Sequence, residues 1–288
     1  MIVFPGNTRI TTTPSFPVAG SSKVCVYDVN DQATLDQQCQ FYKERLCGIE
    51  LDAEKLERIK SLANIRISTL RICVSSLDDL HYIDRLIQDI KGKNTAVILK
   101  TGKDILRVVN YLTGFRIKIL ISPVENEIFI PVLDELIDFY MHQTTVRSPI
   151  EPFHSILQTM INLTRITLWD ILQEKPGFDF YITGEGKITL SKRWAENGRY
   201  FGSTNQSWDT LRTDKLFQKI QNPNKLFFAE QSECVFCPHF TQCGGYFKIF
   251  NADADCKPWK KVFATLQEEI QNVRRILTEY GKTEKTAK

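Results

Sequence analysis

The sequence has no apolar run long enough to cross a membrane, since charged residues interrupt the hydrophobic stretches between positions 117 and 139. A membrane helix needs about 18 or more consecutive apolar residues. The apolar N-terminus lacks a basic segment and a small-residue cleavage site, so no secretory signal is expected. We therefore expect a soluble, cytoplasmic protein that does not bind a membrane.

A strong excess of one charge is also absent, because 37 basic residues face 34 acidic ones for a net charge of +3. No nucleic-acid partner is expected from that balance. Neither the full Gly-x4-Gly-Lys-Ser/Thr phosphate loop nor a Gly-x-Ser-x-Gly nucleophile elbow occurs, since Gly281-Lys282-Thr283 lacks the earlier glycine. The hydrophobic share of 42% is that of a globular chain with a sizeable core.

The first 65 residues are expected to form an extended and helical N-terminal segment. The alternation of Lys23-Val-Cys-Val-Tyr27 predicts one short strand. From Asp31 to Lys60 the apolar residues have helical spacing that is interrupted at Gly48. This pattern predicts two short helices, the second including Leu51, Leu56 and Ile59.

Residues 66–175 alternate between strand and helix patterns. Strands are predicted at Leu70–Val74, Thr95–Lys100 and Ile117–Ile121, each followed by an amphipathic helix. Such alternation is typical of a parallel sheet covered by helices. Three units do not close an eight-unit barrel, so the sheet is expected to be open or to be completed by flanking segments. The sequence predicts an α/β fold with a partial, half β/α barrel.

Residues 176–288 have a different character and are predicted to be a small second domain. Two β-prone runs, Phe178–Ile182 and Lys187–Ser191, flank a glycine-containing turn and predict a hairpin. A long closing helix is expected from about Pro258 to Tyr280.

Four of the eight cysteines are concentrated in this last region, as Cys234, Cys237, Cys243 and Cys256. Two cysteines separated by two residues present both sulfurs to one point, and the later pair completes a four-thiolate metal site. Thiolates select zinc or an iron–sulfur cluster, and the ligand count leaves both open. Gly244 and Gly245 would let backbone amides approach the sulfurs.

A competing interpretation is that these four are unrelated buried thiols. His239 lies between the ligands, but it is interpreted as a bystander because a fourth cysteine is available. The other four cysteines share no spacing and are interpreted as packing residues: Cys25, Cys39, Cys47 and Cys73. The aromatic residues around the cluster are expected to shield the metal: Phe227, Phe228, Phe236, Phe240, Tyr246 and Phe247.

The order of hairpin, short helix, Cys-x2-Cys-x5-Cys-Gly-Gly and a later cysteine resembles the SPASM domain of radical SAM peptide maturases. Gly184–Ser191 resembles its hairpin, and Asn197–Gly202 resembles the element that follows. The resemblance implies that Cys234, Cys237, Cys243 and Cys256 hold one auxiliary 4Fe-4S cluster. Ligands of a second cluster are not kept, since Ser191 and Phe247 stand where cysteines are expected.

Radical SAM enzymes hold the cluster that cleaves S-adenosylmethionine (AdoMet) on Cys-x3-Cys-x2-Cys. This sequence contains no such triplet. The resemblance therefore implies a pseudo-radical-SAM protein with no AdoMet cleavage site and no catalytic residues of its own.

Three functions follow from these features. The first is an accessory protein of ribosomal-peptide maturation that binds a precursor peptide or a radical SAM maturase, for example at exposed strand edges. The second is an electron-transfer or enzymatic subunit that uses the auxiliary cluster. The third is a binding module held together by zinc.

Overall fold

The structure is a computed structural model, which describes residues 2–5, 24–27, 31–42, 46–60, 62, 69–90, 94–100, 104–121, 130–143, 148–172, 174, 180–183, 186–190, 194–195, 198–203, 205–230 and 232–286. Parts of the expected hairpin turn and of the following element, including Gly184, Ser191 and Asn197, lie outside these residues.

One sheet runs through most of the described chain. Its strands are β1 (Ile2–Pro5), β2 (Val24–Tyr27), β3 (Leu46–Asp52), β4 (Thr69–Val74), β5 (Asn94–Leu99), β6 (Lys118–Ile121), β7 (Ile150–Glu151), β8 (Phe180–Ile182), β9 (Lys187–Thr189) and β10 (Gly202–Ser203). Their order is β10-β9-β8-β1-β2-β3-β4-β5-β6-β7.

The central strands are parallel. Strands β1 to β7 pair in chain order, and β8 adds to the other side of β1, also in parallel. Strands β8, β9 and β10 are antiparallel, with Tyr181 opposite Thr189. The predicted α/β class, the partial β/α barrel and the hairpin are therefore confirmed.

Helices follow most of the parallel strands. They are α1 (Gln32–Tyr42), α2 (Leu80–Arg85), α3 (Ile87–Ile90), α4 (Ile105–Gly114), α5 (Leu133–His142), α6 (Phe153–Asn162), α7 (Leu168–Leu172), α8 (Trp208–Thr213), α9 (Lys215–Gln221), α10 (Pro223–Ala229), α11 (Phe240–Cys243), α12 (Tyr246–Phe250) and α13 (Lys257–Thr286). The last is the predicted closing helix, and it packs on α5 and α6.

The prediction of a second N-terminal helix is wrong. Leu51 belongs to β3, and only a 3-10 turn follows at Ala53–Arg58. Leu46, Ile49 and Leu51 are buried between neighbouring parallel strands. The residues are apolar enough for either structure, and pairing with β2 and β4 decides between them, since tertiary contacts override local propensity.

The sheet therefore extends beyond the half-barrel that was assigned to residues 66–175. It takes β1 to β3 from the N-terminal segment and β8 to β10 from the C-terminal part. The domain limits at residues 65 and 175 remain predictions. Hydrogen bonds between strands connect the segments on the two sides of each limit.

The two faces of the sheet differ in polarity. Ile72, Val97 and Ile119 align across β4, β5 and β6 and are buried in the core together with residues of the helices. On the opposite face, Arg71, Ala96 and Lys118 align in the same way. Alternation along the strands thus gives one apolar face and one face that carries charges.

Candidate metal centre

Cys234 lies in a 3-10 turn, Glu233–Phe236, and Cys237 is the residue directly after that turn. The Ser232 hydroxyl begins the turn by accepting a hydrogen bond from the Cys234 amide at 3.3 Å. The Cys237 amide donates to the Cys234 carbonyl, also at 3.3 Å. A side-chain cap at such a turn satisfies an otherwise unpaired amide, so the Cys-x2-Cys segment has a defined local structure.

Cys243 ends α11, and the two glycines that follow turn the chain back over its sulfur. Gly244 has a φ of 61° and Gly245 a φ of 73°, both in the left-handed region. The backbone amides of Gly245, Tyr246 and Phe247 lower the pKa of the Cys243 thiol and so oppose the effect of its burial. Successive amides directed at one point can stabilise a negative charge. The expectation that the glycine pair lets amides approach the sulfurs stays a prediction.

Side chains at the two glycines would collide with buried aromatic rings. A Cβ on Gly244 would lie 2.9 Å from Trp169 Cδ1, and one on Gly245 would lie 2.0 Å from Phe227 Cε2. Trp169 Nε1 also donates to the Gly244 carbonyl at 2.9 Å. These contacts fix the cysteine loop against α7 and α10, since glycine permits both the dihedral angle and the close approach.

The four predicted cysteines line one common pocket. The pocket comprises about 380 Å³ of space between atoms, a figure that includes open solvent. All four cysteines are free thiols. Apart from Gly245, the other lining residues are aromatic or charged: Glu233, His239, Phe240, Phe247, Lys248, Trp259, Lys260 and Phe263. The cysteine loop, α12 and the start of α13 thus bring Cys234 and Cys256, which are 22 positions apart in the sequence, to the same pocket.

The pocket disfavours bare thiolates. Burial raises the pKa of the Cys234 and Cys256 thiols, and it raises the pKa of Cys243 to about 12. Opposing this, Ser232 lowers the pKa of Cys234, and Lys248 lowers that of Cys256. Metal ligands of this type must be deprotonated. A bound cationic group would supply the remaining stabilisation, and the donor set of four thiols suits an iron–sulfur cluster or zinc.

Among the described residues, no three His, Cys, Asp or Glu side chains form a group able to hold a single metal ion. The assignment of the four cysteines as metal ligands remains a prediction, and the common pocket is the observation in its favour.

A charged bridge crosses the pocket wall. Glu233 accepts from Lys248 Nζ at 3.0 Å through one carboxylate oxygen and from Lys260 Nζ at 2.8 Å through the other. Sequence reasoning missed these three residues. Lys260 had a usable signal, because it lies four residues after Cys256 at the start of a helix, and such residues share a face.

The aromatic residues differ in how far they cover the pocket. Phe247 stacks on Trp259 with ring centroids 5.6 Å apart, and both rings are buried. Phe236 is 88% exposed and Phe228 is exposed as well, so the expectation that these two shield the metal is wrong. They face outward because each lies on the outer side of a short helical turn.

His239 lies at the pocket, and its ring centroid is 5.5 Å from that of Phe263. Burial lowers its pKa, and the nearby Lys260 adds to this. Its interpretation as a bystander stays a prediction.

The remaining cysteines lie in the sheet and in α1. Cys73 is buried in β4, and burial raises its pKa to about 12. Cys39 is half-buried against the core. Cys25 and Cys47 lie in β2 and β3, and their side chains are outside the described residues.

Three ion pairs occupy the charged face of the sheet, which the sequence did not predict. Their atoms are Arg71 Nη1 with Glu50 Oε2 at 3.5 Å, Lys100 Nζ with Asp52 Oδ1 at 3.0 Å, and Lys118 Nζ with Glu151 Oε1 at 3.3 Å. The acids lie on β3 and β7, whereas the bases lie on β4, on β6 and directly after β5, so three acids balance three bases within the face.

The parallel sheet, its helices and the C-terminal cysteine loop define a radical-SAM-like partial β/α fold. Among solved structures, the chain is similar to native anSMEcpe with bound AdoMet and Cp18Cys peptide, with a TM-score of 0.59 at 11% identity over 88% of this chain and 87% of that chain. It is also similar to native anSMEcpe with bound AdoMet, with a TM-score of 0.54 at 12% identity over 90% and 87% of the two chains.

At this level of identity the likeness concerns the fold alone. No protein-family model matches the chain, and a search of curated proteins finds no match either. In the described part of the chain, no helix is both long and apolar enough to span a membrane.

Proposed function

We propose that this chain is an accessory, pseudo-radical-SAM protein of a ribosomal-peptide modification system. It holds one 4Fe-4S cluster on Cys234, Cys237, Cys243 and Cys256. It binds a precursor peptide or a radical SAM maturase, and it does not cleave AdoMet by itself.

The observation that carries the proposal is the common pocket of the four cysteines. They come from a 3-10 turn, the end of α11 and the residue before α13, yet all face the same space. The backbone amides of Gly245, Tyr246 and Phe247 lower the pKa of the Cys243 thiol. Four thiolates complete the coordination of a 4Fe-4S cluster, which suits it to electron transfer or to stabilising the fold.

Absence of AdoMet cleavage is proposed from the sequence. Reductive cleavage needs an iron with an open coordination position, which a cluster held by three thiolates supplies. The eight cysteines contain no Cys-x3-Cys-x2-Cys triplet. Full coordination by four cysteines leaves no iron free for the amino and carboxylate groups of AdoMet.

The peptide-related role is supported by the fold. A similar fold is found in native anSMEcpe, whose structure contains AdoMet and the Cp18Cys peptide. Among the described residues the sheet ends at β7 and β10, and edge strands are places where an extended peptide can add by backbone hydrogen bonds.

Two assays test this function. First, the anaerobically purified chain is incubated with AdoMet and a strong reductant, and released methionine is measured; we expect none above a blank, with an active maturase as positive control. Second, the tagged chain is used to capture candidate precursor peptides and maturases, and we expect one of the two to be retained. AdoMet cleavage by the chain alone, or retention of neither partner, would contradict the proposal.

A further inference from the structure

Lys248 and Lys260 are held in fixed positions beside the four cysteines. Glu233 uses one oxygen for each lysine, at 3.0 and 2.8 Å, and so joins the 3-10 turn to α12 and α13. Lys248 Nζ also donates to the Ala252 carbonyl at 2.9 Å. An ammonium group with several partners keeps its position better than a free surface lysine.

Both lysines line the pocket together with the cysteines. Lys248 interacts electrostatically with Cys234 and Cys256, and Lys260 does so with Cys237 and Cys256. Apart from the two lysines, Glu233, His239 and the four cysteines, the described residues that line the pocket carry no ionisable side chain.

The local charges do not balance without help from a bound group. Four thiolates contribute four negative charges, whereas the two lysines and Glu233 together contribute one net positive charge. An electron added to a bound cluster increases the negative charge, and nearby fixed cations stabilise that reduced form. The lysine side chain that is better shielded from water exerts the larger effect, and Lys248 is only 14% exposed.

We infer that Lys248 and Lys260, positioned by Glu233, raise the reduction potential of the cluster bound by the four cysteines. This inference rests on the proposed function, because it requires a cluster at that site. Lys248 makes the larger contribution and Lys260 the smaller one. A potential set in this way determines which electron donors or acceptors are able to exchange electrons with the protein.

The test is an anaerobic redox titration of the full chain, preceded by iron and sulfide analysis of each variant. Lys248→Gln is expected to reduce the equilibrium constant for one-electron reduction about tenfold, which lowers the potential by about 59 mV. Lys260→Gln should lower it by less, and Lys248→Arg should restore the original value.

Lys261→Gln is the matched control, because Lys261 is next in the chain but pairs with Asp134 and is largely exposed. Its potential should equal that of the unmodified protein. If Lys248→Gln does not retain iron, Lys260→Gln gives the result in its place. Fully loaded variants whose potentials equal that of Lys261→Gln overturn the inference while leaving the proposed cluster intact. An unmodified protein without iron and sulfide overturns both.

Discussion

Replacing Gly245 by alanine is expected to destabilise the protein strongly. The residue has a φ of 73°, where an L-residue costs about 1–2 kcal/mol. An added Cβ would lie 2.0 Å from Phe227 Cε2 and 2.5 Å from its Cζ. Phe227 is buried, so its ring cannot move into solvent without exposing apolar surface. Forcing one extra carbon into a packed core costs about 1–3 kcal/mol.

The two costs together predict a loss of about 2–5 kcal/mol in the free energy of unfolding. The assay is urea unfolding followed by tryptophan fluorescence, with all variants purified under the same conditions and in the same metal state. Unchanged slopes with a lower midpoint would indicate a change of stability alone.

Alanine variants at two other glycines distinguish the cost of backbone strain from the cost of a steric collision at the added Cβ. Gly198 has a φ of 65° with open space around an added Cβ, so Gly198→Ala should cost only the backbone strain of about 1–2 kcal/mol. Gly114 has open space and no left-handed φ, so Gly114→Ala should change stability by less than about 1 kcal/mol. If Gly245→Ala is no less stable than Gly198→Ala, the described contact between the glycine pair and Phe227 is refuted.

Three other predictions concern the fold. Trp169→Phe removes the hydrogen bond to the Gly244 carbonyl and should cost about 1 kcal/mol in thermal unfolding, so an unchanged melting temperature would contradict it. Cys73 has a pKa raised to about 12 and should resist iodoacetamide at about pH 8 until urea is added, as mass spectrometry would detect. The pKa of Cys73 in the folded protein lies above its ordinary value of 9.0, so the protonated thiol contributes fully to the free energy of unfolding at neutral pH. This contribution is lost as the pH rises from about 9 to 12. Glu151→Ala removes the ion pair with Lys118, whose side chain is 37% exposed and can be solvated, and also the two hydrogen bonds from Ser155, and it should cost about 1–3 kcal/mol. A chemical-denaturation midpoint equal to the parent's would exclude a structural role for Glu151.

Local patterns were sufficient for the β/α units, the hairpin and the closing helix. Each of these elements has a periodicity that its own residues carry, such as the apolar run that became β5. The Cys-x2-Cys segment and the glycine pair could also be recognised in the sequence, because their geometry depends on residues that are close in sequence.

Elements that depend on distant partners were not predictable in the same way. Strand β3 takes its structure from pairing with β2 and β4, and β8 joins β1 across more than half of the chain. The charged bridge at Glu233 requires side chains from three elements to meet. Charge and apolar content are visible in a sequence, whereas the face on which a residue lies depends on the complete packing.

The proposed cluster on Cys234, Cys237, Cys243 and Cys256 is tested most directly by iron, sulfide and zinc analysis with an absorption spectrum. The samples are the anaerobically purified protein and the variants Cys243→Ala and Cys73→Ala. We expect about four iron and four sulfide per chain, lost in Cys243→Ala and retained in Cys73→Ala. One zinc per chain without sulfide, or iron that survives Cys243→Ala, would contradict this expectation.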